Sequence, residues 1–206
     1  MRWLCVCSLL LLVSASRANW IEDMVAQLGG LFHSYEEAPS NVIAMHNGYE
    51  ERSYPARKWV CSEEKSTDGT VVMERLFWRI FRYISGENMA EAKIPMTVPV
   101  TTEFTAMREE NNFKMCFFVP EKFQENPPAP TNPKIVVALQ PEMTVFTRTV
   151  GGYMTTASDW LTEAASLSKL VEADGGTVSL VHMFWAGYDA PLKFWRRRNE
   201  VWFPKA

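Results

Sequence analysis

"ENPPAPTNP", residues 125–133, holds four prolines in nine positions. Proline fixes φ and has no N–H to donate, so the stretch fits neither a helix nor a central strand. It reads as a connector, and the chain on its two sides follows one order. Before it, "YEERSYPARKWVCSEE" (49–64) alternates as strand, turn at Pro55 and strand. A helical stripe then runs through Met73, Leu76, Phe77, Ile80, Phe81 and Ile84, spaced i, i+3, i+4, i+7, i+8, i+11. Asp68 or Thr70 can cap its start and Gly86 can close it. Two further strands, 96–104 and 113–120, complete the half. After the connector, "IVVALQPEMTVFTRTV" supplies strand character. A second helix opens on a Thr156/Asp159 capping box and buries Trp160, Ala164, Leu167 and Val171. "LVHMFWAGY" and "NEVWFP" are the last strand candidates. Each half reads as strand, helix, strand, strand: a duplicated βαββ unit of α+β class, its strands joined in one sheet or open barrel with two packed helices.

In "IPMTVPVTTEF" (94–104), Pro95 and Pro99 interrupt a strand pattern. Such a strand enters the sheet at a rim or bends there, where missing donors cost little. The halves are expected at about 48–124 and 134–206.

Residues 1–18 stand apart. Arg2, the apolar run "WLCVCSLLLLV" and "SASRA" have the layout of a secretory signal peptide cut after Ala18, too short to span a membrane. Residues 19–47 read as an extension with a short amphipathic helix through Ile21, Met24, Val25 and Leu28. The mature product is expected to be secreted, with no membrane span. Without Arg2 and Arg17, 19 basic residues face 24 acidic ones, a net charge of −5. That balance disfavours a nucleic-acid partner, whose phosphates call for cations. Cys61 and Cys116 remain, either bridged or buried as free thiols.

Little in the chain suggests catalysis. His33, His46 and His182 are the only histidines, and none sits in a metal-ligand spacing. No G-x-S-x-G elbow or phosphate-cradling loop occurs, so the protein is not read as an enzyme. The first helix is more suggestive. Met73, Phe77, Trp78, Phe81 and Tyr83 add polarizable and aromatic surface, flanked by Arg75, Arg79 and Arg82. "DAPLKFWRRRNEVWF" repeats that combination near the end. Apolar faces rimmed by cations suit a flat greasy ligand with carboxylate tails; a buried helix face beside a solvated basic turn is the plainer alternative.

The strings "YEER", "KWV", "MTVPVT", "PPAP", "EMTVF", "GGY", "AGYDAP" and "RRNEVW" fall in the order and spacing of the SOUL/heme-binding protein family. The chain resembles that family over roughly residues 48–206. The resemblance implies a distorted antiparallel β-barrel with two helices. It also implies noncovalent binding of heme or another porphyrin, for transport or buffering. By position, Arg82 and Lys193 match basic residues linked to the porphyrin carboxylates. Ile80 and Phe81 match the apolar helix surface held to lie against the ring, with Met73 and Phe77 continuing that wall. Two positions depart from the family: Glu74 replaces an arginine of some members, and Ser53 replaces a histidine proposed as an iron ligand in a subgroup. His46 and His182 remain as candidate iron ligands. The rival readings are a protein-interaction module of the same fold and an enzyme that modifies tetrapyrroles.

Overall fold

The computed structural model describes residues 35–190 and 193–205. The expected signal peptide and the helix expected over residues 21–28 lie outside the described residues. Residues 35–189 and 194–205 form one body. Its elements run β1 (Glu36–Glu37), β2 (Asn41–Met45), β3 (Glu50–Tyr54), β4 (Arg57–Ser66), α1 (Gly69–Ile84), β5 (Thr97–Val98), β6 (Val100–Thr105), β7 (Asn111–Phe118), β8 (Ile135–Gln140), β9 (Met143–Val150), α2 (Ala157–Ala173), β10 (His182–Gly187) and β11 (Asn199–Pro204).

Nine strands make one antiparallel sheet in the order β2-β3-β9-β11-β10-β6-β7-β4-β8. It curls into a half-barrel, and the repeat is visible in it. The run β4-β7-β6 of the first half mirrors β9-β11-β10 of the second, and the halves meet where β6 pairs with β10. The opening strands are exchanged: β3 pairs with β9 of the second half, and β8 pairs with β4 of the first. Each half therefore borrows a strand from the other, which ties the two units into one fold.

Both helices pack on the same kind of surface. α1 lies against β4 and β7, and α2 against β9 and β11. Asp68 caps α1 by accepting from the Thr70 and Val71 amides at 3.0 and 3.1 Å. Thr156 and Asp159 form the expected capping box on α2. Val72, Leu76 and Ile80 of α1, and Ala164, Leu167 and Val171 of α2, are all fully buried. Truncating one such leucine costs about 2–5 kcal/mol.

Strand alternation sends the other residues to the concave face. Phe117 of β7 meets Phe77 of α1, so Lys114, Cys116 and Phe118 point the opposite way. Trp185 of β10 stacks on Trp160 of α2 at 5.8 Å, which turns His182 and Phe184 to the concave side. Cys61 and Cys116 stand directly opposite each other on β4 and β7 and form a disulfide, settling the alternative that the sequence leaves open. Pro99 sits at the bend between β5 and β6, and the Val98–Pro99 peptide is cis. The proline thus stands at a strand junction, where no ladder bond is needed.

Candidate functional site

The exposed part of α1 is narrower than the sequence suggests. Ile80 and Phe81, expected on the wall of a groove, are 0% and 2% exposed. Ile80 follows Leu76 by one turn and points into the sheet. Phe81 lies beneath Phe77 and Trp78, at ring separations of 5.7 and 5.6 Å. These two residues support the surface from below, and the plainer reading of a buried helix face holds for them.

What α1 leaves open is its flank. Met73 and Phe77 are half-buried and one turn apart, so they share a row. Trp78 is half-buried beside Phe77, edge-on at 5.4 Å. Glu74, Trp78 and Arg82 form the neighbouring row, with Glu74 and Arg82 exposed. The sequence reading leaves Trp78 out of the wall, although its i+4 spacing to Arg82 would have pointed to it.

The three arginines of α1 divide by role. Arg75 and Arg79 both reach Glu64 on β4, at 2.5 and 2.9 Å, and Arg79 also donates to Ser62 Oγ at 2.8 Å. Hydrogen bonds from Arg79, opposed by partial burial and aided by Arg75, hold the Glu64 carboxyl below the usual carboxylate range. These cations fasten helix to sheet. The Arg82 guanidinium has no side-chain partner among the described residues and remains available to an anion.

The carboxyl-terminal basic cluster is similarly divided. Arg198 joins Glu200 and Glu37 and lies over the Tyr188 ring at 3.7 Å. Arg197 covers the Tyr153 ring at 4.4 Å. Phe194 is 76% exposed and packs edge-on against Trp195. Lys193 falls outside the main body; it is half-buried, and its backbone N–H donates to Ala190 O at 3.1 Å.

Neither histidine lies on α1. His46 stacks on Tyr49 at 4.3 Å and lies 3.3 Å from Glu51 and 3.5 Å from Asp174, at the end of α2. His182 contacts Glu103 at 2.9 Å on the concave face, across the sheet from α1. Among the described residues, no cluster of three His, Cys, Asp or Glu side chains is placed to hold a metal ion. No helix among them is long and apolar enough to cross a membrane.

Comparison with known proteins supplies the decisive observation: the sequence model of the SOUL heme-binding protein family matches residues 35–204. The chain belongs to the SOUL heme-binding protein family. It is 30% identical to human heme-binding protein 2 over 169 residues, covering 81% of this chain and 82% of that one. It is also 30% identical to mouse heme-binding protein 1 over 183 residues, covering 85% and 96%. These relatives are named for heme binding and not for an enzymatic activity. Among solved structures, the C-terminal domain of EcmrR superposes with a TM-score of 0.57 at 14% identity, over 76% of this chain and 96% of that one. That likeness concerns the fold alone. The SOUL match begins at residue 35, where the described body begins, and ends within β11.

Proposed function

We propose that this SOUL protein binds heme or a related tetrapyrrole noncovalently on the open flank of α1, as a carrier or buffer and not as an enzyme. The observation that carries the reading is the half-buried patch of Met73, Phe77 and Trp78 across two adjacent rows of α1, one of which ends at the unpaired Arg82. A macrocycle laid on that patch covers the three side chains, and Arg82 takes a carboxylate from its edge. Phe81 holds Phe77 in place from beneath, and Ile80 anchors the helix to the sheet. The assignment of Lys193 to a second carboxylate rests on the family resemblance.

Hiding on the order of 300–500 Å² of porphyrin is worth about 8–12 kcal/mol at ~25 cal/mol per Å². Association and ordering costs of several kcal/mol bring this to roughly micromolar affinity. No axial iron ligand is required for that strength. His46 and His182 serve their carboxylate partners in this reading. The signal-like residues 1–18 and the Cys61–Cys116 bridge support a secreted protein, since disulfides persist in oxidising compartments. Paramagnetic hemin added to ¹⁵N-labelled protein locates the site. The amides of α1 near residues 73–82 should broaden first; broadening confined to the concave strands would refute this placement.

A further inference from the structure

The concave face contains a cavity of about 280 Å³, assembled from β3, β4, β6, β7, β8, β9, β10 and β11. Tyr54, Trp59, Phe184 and Trp202 give it aromatic walls. Their rings are held in place: Tyr54 and Trp202 pack at 4.6 Å, Trp59 meets Phe118 edge-on, and the Trp202 indole N–H donates to Glu200 at 2.8 Å. A pre-formed apolar pocket with a few converging polar groups is the usual form of a small-molecule site. Its volume lies just under the ~300–1,000 Å³ range of drug-sized pockets, too small to enclose a tetrapyrrole.

The polar groups narrow the ligand class. Glu103 lines the cavity and is bonded to Lys114 Nζ at 3.1 Å and to His182 Nε2 at 2.9 Å. Burial raises the Glu103 pKa, but Lys114 and His182 outweigh it and leave the carboxyl below its ordinary value. An ionised acceptor thus stands next to an ammonium donor on the same wall. Gln140, which donates to Cys61 Sγ at 3.7 Å, adds an amide of both polarities to the lining. An acceptor beside a donor complements the adjacent N–H and C=O of a lactam ring. Lys114 offsets Glu103, and Glu142 adds a second carboxylate to the lining, so the cavity has no excess positive charge to hold a dicarboxylate.

We propose that this cavity is a second ligand site, separate from the α1 flank, for a planar heteroaromatic molecule of two or three fused rings with a lactam edge. The rings lie between Trp59, Phe184 and Trp202, and the lactam edge meets Glu103 and Lys114. The α1 flank is on the other side of the sheet, so the two ligands bind independently.

Lumichrome, a fluorescent three-ring compound with lactam edges, is a suitable probe. Its titration into the protein should give saturable quenching. Glu103→Gln should weaken it by about tenfold, the loss expected for a charge-assisted contact. Gln140→Trp, which fills the cavity from an edge strand, should abolish it, and circular dichroism checks that each variant is folded. Saturating hemin should leave lumichrome bound. Absence of saturation up to ~1 mM probe would overturn the proposal, as would indifference to both substitutions or displacement by hemin. Because lumichrome is read without hemin, failure of heme binding would leave this result standing.

Discussion

Glu200 is 0% exposed, yet it sits within the apolar strand β11. Its carboxylate accepts from Arg52 at 2.8 Å, from the Tyr188 hydroxyl at 2.7 Å and from the Trp202 indole at 2.8 Å, and it pairs with Arg198 at 2.7 Å. Glu200→Gln keeps the shape and removes the charge. Arg52, whose side chain is only 7% exposed, then loses its fully buried counter-charge and keeps only the partly exposed Glu50 at 2.5 Å. Breaking a buried pair in this way costs about 3–5 kcal/mol. For a body of this size that is a fall in Tm of roughly 6–20 °C. Thermal unfolding followed by circular dichroism measures it. Glu121→Gln, which removes an exposed partner 3.6 Å from Arg57, is the control and should change stability by less than about 1 kcal/mol.

Acid titration gives an independent check on the same group. Burial raises the pKa of Glu200, but Arg52 and Arg198 oppose it strongly enough to leave it lowered. A depressed carboxylate contributes stability that is complete above the unfolded pKa, ~4.3, and is lost as pH falls through the folded value. Wild-type stability should therefore decline below about pH 4–5 more steeply than that of Glu200→Gln. If Glu200→Gln melts within about 2 °C of wild type and keeps the same acid profile, the network is not the structural centre described here.

Three further outcomes follow from the geometry. Arg82→Glu should weaken hemin binding by roughly two- to fivefold in an absorbance titration, since an exposed charge contact is worth up to about 1 kcal/mol; an unchanged affinity would remove Arg82 from the site. Replacing Cys61 and Cys116 together by serine opens a loop with a sequence separation of 55. Urea unfolding should show a loss of about 2–4 kcal/mol, and a loss below ~1 kcal/mol would mean that β4 and β7 need no cross-link. Asp68→Ala, which deprives the α1 amides of their cap, should cost about 1 kcal/mol in the same assay, whereas Asp68→Asn should cost much less.

The secondary structure was legible where local chemistry decides it. Thr156 and Asp159 announce the start of α2, and its buried stripe is the one that its spacing predicts. The proline-rich stretch 125–133 lies before β8, outside the strands and helices, as its missing donors require. The exchange of β3 and β8 was not legible, because a strand's alternation does not name its partner. For the same reason Cys61 and Cys116 became a pair only through the register of β4 against β7. The wide apolar stripe of α1 concealed which part the sheet covers: Ile80 falls under it and Phe77 at its margin. The concave cavity left a faint signal. Tyr54, Trp59, Phe184 and Trp202 lie on four separate strands, and only the curl of the sheet brings them together. Glu200 amid "NEVWFP" was the clearest missed clue, a carboxylate where a buried strand should be apolar.

Hemin titration of the protein lacking residues 1–18, followed by its Soret band, tests the central claim most directly. A saturable shift at roughly micromolar concentration, weakened by Trp78→Ala and by Arg82→Glu, is the predicted result. A spectrum that changes only in proportion to added hemin, with or without those substitutions, would contradict tetrapyrrole binding on the flank of α1.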